Sequence, residues 1–182
     1  MTLFYQTWPN VDIVPCARSV DNEGNVTHYS IPDMNRDSWI NAKPKLHSKN
    51  IEDRSSVCGT SFRKIIKMAK WWNHKHSEYL QSFHIEVMAL NSLTTRLDDL
   101  PWDVFTYFRD AATLIQSSLW HEGANVDDYL TWSDREEARK RIETARDISR
   151  EAWHYTYGEN NDHKTAITKW RQVFGDKFPN YG

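Results

Sequence analysis

Strand signals and helix signals are segregated along this 182-residue chain, and that separation limits what it can fold into. The segments that read as strands all lie before about residue 32, whereas apolar residues at helical spacing begin near Thr60 and continue almost to the end. Strands first and helices afterwards predict an α+β fold, or the last strands of a mixed sheet followed by a helical lobe. The expected division is 1–54 for the sheet part with its loop and 55–182 for the helical lobe.

In the first part, Thr2 to Trp8 reads as a strand ended by Pro9-Asn10, and Val11 to Cys16 as a second strand. Asp21-Asn22-Glu23-Gly24-Asn25 is turn chemistry, and Val26 to Ile31 closes a hairpin before Pro32. From Pro32 to Arg54 the chain is rich in Pro, Asn, Asp and Lys with no period, and reads as an ordered loop carrying Trp39, Pro44 and His47. Within the second strand Asp12 shares a face with Val14, because successive strand side chains alternate. A carboxylate among apolar neighbours loses hydration unless a cation, a metal or several donors compensate, which makes Asp12 a candidate metal ligand or general base. An aspartate at a strand end, solvated or capping the next turn, is the simpler reading of this pentapeptide taken alone.

The helical part begins with Thr60 to His76, where Phe62, Ile65, Ile66, Ala69 and Trp72 form one stripe. Lys70 projects just beyond the edge of that stripe and Lys64 lies opposite. An ammonium at the rim of an apolar groove suits a phosphate, although a helical lysine is more often simply solvated. Tyr79 to Leu93 is apolar nearly all round and so central. Pro101 opens a helix over Trp102 to Leu119. Ser133 with Glu136 has capping-box spacing and opens a long helix lined by Ala138, Ile142, Ala145, Ile148 and Ala152, which stops at Gly158. A last helix from Asp162 to Phe174 packs Ile167, Trp170 and Phe174 and ends at Gly175.

Several function classes are disfavoured. A formal charge of -2 argues against a broad nucleic-acid-coating surface. Nine Trp, eight Tyr and seven Phe supply buried area, and also flat faces on which a nucleobase stacks. Cys16 and Cys58 match no zinc spacing, so reduced thiols in the cytoplasm are expected. No apolar run approaches the roughly 20 residues of a membrane-spanning helix. His74 with His76, and His84 with Glu86, are two apart and face different ways on a helix, so neither pair is expected to share a metal. There is no Gly-x-Ser-x-Gly, no Walker lysine loop and no HExxH.

Five segments occur in a telling order: Val11-Asp12-Ile13-Val14-Pro15-Cys16, Tyr29-Ser30-Ile31-Pro32, Trp39 with Pro44 and His47, Ile65-Ile66-Lys67-Met68-Ala69-Lys70-Trp71-Trp72-Asn73, and the tail from Trp170 to Pro179. The series resembles the cGAS/DncV-like nucleotidyltransferases, bacterial relatives of oligoadenylate synthase that make cyclic or linear oligonucleotide signals in antiphage defence. The resemblance covers nearly the whole chain. It implies a polymerase-β-like sheet, here represented by its last strands, with a helical C-terminal lobe over a nucleotide cleft. It also implies nucleoside triphosphate substrates and catalytic Mg²⁺ or Mn²⁺. Asp12 matches the third acid of the metal triad, and Lys70 the lysine that contacts the donor triphosphate. Ser82, after Gln81, falls near a position that reaches phosphates or base.

The sequence also departs from the pattern. The upstream Gly-Ser helix and the strand with two acids as Asp-x-Asp or Asp-x-Glu are missing; Gly59-Thr60-Ser61 is downstream and in the wrong order, and Asp21-Asn22-Glu23 sits in a polar turn. One aspartate does not hold two divalent ions, so the chain by itself is expected to be inactive. Expected explanations are a truncated form, a gene fragment starting at an internal Met, or half of a split enzyme completed by a second chain. A homodimer would equally cover a bare sheet edge. The other reading is a catalytically inactive nucleotide-binding or protein-interaction remnant.

Overall fold

A computed structural model of the chain describes residues 2–3, 11–33, 37–157 and 161–181. It divides into two units, Met1–Lys49 and Asn50–Gly182.

In the first unit, β1 (Thr2–Leu3) pairs antiparallel with β2 (Val11–Asp12), Thr2 opposite Asp12. The remainder of the expected first strand lies outside the described residues. The second strand is shorter than Val11 to Cys16: pairing ends at Asp12, and extended pairing resumes only in β3 (Ala17–Val20). Pro15 is the reason, since it has no N–H for a ladder and restricts Val14 before it. Next, β3 forms a meander with β4 (Val26–Asp33) and β5 (Ser38–Ala42). The predicted turn joins β3 to β4. The Asp21 carboxylate accepts the N–H groups of Glu23 (2.9 Å) and Asn25 (2.8 Å), Asn25 first among the bonds that hold its pKa low, and Gly24 takes the left-handed φ of +84°.

The reading of 32–54 as a loop is corrected. Pro32 lies inside β4, opposite Trp39 of β5. It is tolerated because β3 reaches only as far as Ser30, so that among the described residues no strand pairs with the other side of β4 there. From Pro44 the chain is helical, as α1 (Pro44–Cys58). Cys58 is its one fully buried residue, so α1 presents no apolar stripe for a periodicity argument to find. None of the described side chains between Ile13 and Lys49 is fully buried, and Trp39 and Ile40 are 64% and 49% exposed.

The second unit contains α2 (Ser61–Lys75), α3 (Ser82–Ser92), α4 (Leu100–Leu114), the short hairpin β6 (Trp120–His121) and β7 (Ala124–Asn125), α5 (Trp132–Tyr157) and α6 (His163–Phe174). The stripe Phe62, Ile65, Ile66, Ala69 and Trp72 is buried as predicted, as are Leu80, Ile85, Val87, Met88 and Leu90 of the next segment, whereas Phe83 is exposed. Two helix starts are revised. The Asp99 side chain accepts the Trp102 N–H and opens α4, which ends at Leu114, and the chain then turns into the hairpin. Helix α5 is capped by Thr131, which accepts the Asp134 N–H (3.1 Å) and donates to the Asp134 carboxylate (2.7 Å). The same Ser/Thr-x-x-acid spacing thus wins two residues before Ser133. The α5 helix packs on α4 and α6 through Ala138, Ala145 and Ala152 at seven-residue intervals, with Ile142 and Ser149 between. Small side chains at that spacing let both neighbours approach closely.

The α2 to α3 reversal fixes everything near Lys70. Asn73, 6% exposed, donates its amide to the Leu80 carbonyl (2.7 Å) and accepts the Leu80 N–H (3.1 Å). Its own carbonyl accepts the Glu78 N–H (2.9 Å), while Ser77 and Glu78 take φ of 76° and 53°. Removing the Asn73 amide leaves a buried N–H and a buried C=O without partners, at about 1–3 kcal/mol for each group. We expect Asn73→Ala to lower the urea midpoint by an amount equivalent to about 2–4 kcal/mol with an unchanged slope, read by circular dichroism.

Candidate functional site

The cavity that concerns function forms where the last turns of α2 meet the first turn of α3. Lys70 and Asn73 are three apart on α2, and Ser82 and Ile85 three apart on α3, so each helix turns two side chains to the same hollow. The hollow measures about 370 Å³, and the stretch from Glu78 to Gln81 together with Tyr129 completes its wall. The structure therefore brings two of the three predicted site residues, Lys70 and Ser82, to one place. Asp12 lies in β2 of the first unit, where its backbone pairs with Thr2; its side chain is outside what is described. A larger hollow of about 610 Å³, along α6 and beside Tyr181, contains none of the predicted residues.

Sequence reasoning missed two participants. One is Glu86, which forms an ion pair with Lys70 across the two helices. Its signal was available: Ser82 and Glu86 are four apart and therefore on one face of α3. The other is Tyr129, in the segment between β7 and α5, which no periodic pattern marks. Its hydroxyl accepts the Gln81 N–H (2.8 Å) and is hydrogen-bonded to His84 Nδ1 (3.0 Å). In this way Tyr129 pins the start of α3 against the cavity. Burial pushes the Tyr129 hydroxyl up to about 12, so it keeps its proton.

His84 is 1% exposed and lies beneath this wall. Burial pushes its pKa down to about 4, with Asp127 opposing and Arg135 adding to the shift. It is therefore a neutral structural imidazole. Asp127 is itself paired with Arg135 at 2.7 Å, and Arg135 also donates to the carbonyls of Ile115 (3.1 Å) and Ser117 (3.3 Å), which closes the segment that presents Tyr129. His74 pairs with Glu78 (3.5 Å) and His76 donates to the Val173 carbonyl (3.0 Å), so the two point to different partners.

No protein-family model matches the chain. Among curated proteins it is 24% identical over 178 residues to a probable cyclic nucleotide synthase of Bacillus cereus, covering 93% of this chain and 52% of that one. It is likewise 24% identical over 184 residues to a cyclic AMP-AMP-AMP synthase of an Acinetobacter species, covering 93% and 51%. Among solved structures, Escherichia coli CdnC with ATP superimposes with a TM-score of 0.77 at 19% identity, over 97% of this chain and 63% of that one. CdnC is also solved in complex with HORMA, and matches with a TM-score of 0.74. The Vibrio cholerae di-nucleotide cyclase DncV, in complex with ATP and GTP, matches with a TM-score of 0.65 at 16% identity. The chain shares its α+β fold with part of CdnC and of DncV, and it spans about half the length of the curated relatives it matches.

The neutral His84 sets a pH dependence. Unfolded, a histidine titrates near 6.5, so between about pH 6.5 and 4 the unfolded chain takes up a proton that the folded chain refuses, and stability falls as pH falls. The loss amounts to about 3 kcal/mol across that window. Asp103, at the first turn of α4 and raised to about 6 by burial, acts in the opposite direction, so the comparison must be between variants. In urea titrations at pH 7.5 and 4.5, His84→Phe is expected to lose markedly less stability than the unaltered chain.

Proposed function

We propose that this chain is the C-terminal part of a nucleotidyltransferase that joins nucleoside triphosphates into cyclic or linear oligonucleotide second messengers. Each step forms one phosphodiester bond by attack of a ribose hydroxyl on an α-phosphorus and expels pyrophosphate. The observation that carries this reading is the meeting of Lys70 and Ser82 at one cavity, in a chain similar over nearly its whole length to cyclic nucleotide synthases. Lys70 acts as a point charge on the triphosphate, and the Ser82 hydroxyl bonds a phosphate oxygen or the base. Tyr129, by holding Gln81, keeps Ser82 at its distance from Lys70. The setting that goes with this reading is antiphage signalling in the cytoplasm.

Divalent ions, Mg²⁺ or Mn²⁺, supply charge stabilisation at the attacking and leaving oxygens in such chemistry. Among the described residues no group of three or more His, Cys, Asp or Glu stands close enough to hold a metal ion. Mg²⁺ takes six oxygen ligands, and a single Asp12 carboxylate provides one or two. The residues here do not by themselves fit the ions. We therefore propose that the chain alone is inactive, and that the missing acids and the Gly-Ser grip come from a second polypeptide or from further sequence of the same protein. The exposed Ile13, Val14, Trp39 and Ile40 of the first unit are consistent with such a covering partner.

Incubation with labelled ATP and GTP in Mg²⁺ buffer tests this. No product is expected from the chain alone, and product is expected when an N-terminal half bearing the Gly-Ser and paired-acid motifs is added. Asp12→Ala is expected to reduce that product by about 10²-fold or more, and Lys70→Ala to raise the KM for ATP by about tenfold. Absence of product under every complementation would leave the inactive nucleotide-binding or protein-interaction remnant as the reading.

A further inference from the structure

We infer that Glu86 is a competing counter-ion: it occupies the Lys70 ammonium, so that a nucleotide phosphate is bound by exchange for a carboxylate. This rests on the reading of Lys70 as the phosphate contact. The two side chains come from different helices and are only partly open to solvent, 33% exposed for Lys70 and 22% for Glu86. Lys70 is the one cation among the described residues that line the cavity. Glu78 lines the same cavity and brings a second carboxylate, held by His74 on its outer side at 3.5 Å. The hollow is therefore balanced or negative, and a polyphosphate enters it against like charge.

Ser82 and Glu86 sit one helical turn apart, so a phosphate placed between Ser82 and Lys70 also meets Glu86. Simple addition of the phosphate would crowd two anions at one ammonium, whereas exchange lets Glu86 swing towards solvent. The strength of the ion pair is then subtracted from the binding of every phosphate-bearing ligand and from no other. A partly exposed pair of this kind is worth about a kcal/mol, a factor of roughly 3–10 in affinity. The uncharged parts of the nucleotide do not feel it. Glu86 thus sets the affinity of the site for phosphate-bearing ligands, lowering it by that factor while leaving the uncharged nucleoside untouched.

The test measures binding of ATP and of adenosine to the purified chain by calorimetry in EDTA buffer. Glu86→Gln keeps the shape of the side chain and removes its charge, and Glu86→Ala is the second variant with the same expected direction. Both are expected to bind ATP about three- to tenfold more tightly than the unaltered chain, with adenosine affinity unchanged and a melting midpoint lowered by no more than about 4 °C. The gain is expected to vanish when Lys70→Ala is added. ATP affinity that stays the same or falls in both variants overturns the inference and leaves Glu86 as a brace that orients Lys70. If Lys70→Ala alone leaves ATP binding intact, the reading of Lys70 as a phosphate contact fails, and the inference falls with it.

Discussion

One buried amide holds the place where α2 turns into α3. Asn73 is the last buried residue of its helix, and both of its polar atoms are spent on the backbone of Leu80. Leu80 is thereby paired without belonging to a helix or a sheet, in a reversal so tight that two residues other than glycine adopt positive φ. Three steps before Asn73 stands Lys70, and two steps after Leu80 stands Ser82. The distance between the lysine and the serine is thus set by a bond that neither of them makes. A fold that relied on apolar packing alone would leave the loop at 76–81 free to choose among conformations, and the cavity would have no fixed wall.

The same end of α2 is tied to the tail of the chain. Trp71 donates its indole N–H to the Phe174 carbonyl (2.8 Å), and the rings of Trp170, Phe174 and Phe178 follow one another at about 6 Å. Lys75 lies over the Trp71 ring and within 3.8 Å of Asp176. Two motifs almost one hundred residues apart in sequence, Lys70-Trp71-Trp72-Asn73 and the stretch from Trp170 to Pro179, therefore form one packed corner. The alanine-lined face of α5 makes this possible by letting α6 settle close beside it.

What the sequence disclosed follows from where periodicity exists. The α2 stripe, the all-round apolar α3, the turn at Asp21 to Asn25 and the end of α6 at Gly175 each rest on a local rule that the tertiary structure does not oppose. Helix α1 stayed hidden because most of its polar residues are exposed and only Cys58 is fully buried, so no stripe distinguishes it from a polar loop. The hairpin at 120–125 has strands of two residues, too short for alternation to show. In the site, Lys70 was visible at a stripe edge, whereas Glu86 and Tyr129 act through pairings 16 and 48 residues away in sequence. Spacing within a helix indicates which face a residue occupies; it is silent on which other helix supplies its partner.

Charge bookkeeping then separates what this chain does from what the reaction demands. Expelling pyrophosphate develops negative charge on several oxygens at once, and an environment that stabilises it must present a surplus of positive charge. The cavity described here has one ammonium, already matched by Glu86, and a second carboxylate at its edge. On the proposed reading this cavity holds a nucleotide by exchange at a fixed ammonium, and it adds no net field to pull on a leaving group. The surplus in that proposal comes from ions held on acids, of which Asp12 is proposed as one. In that proposal nucleotide holding, assigned to residues 70–86 with Tyr129, and charge delivery, assigned to metal-bearing carboxylates that a lone Asp12 does not replace, are separable tasks.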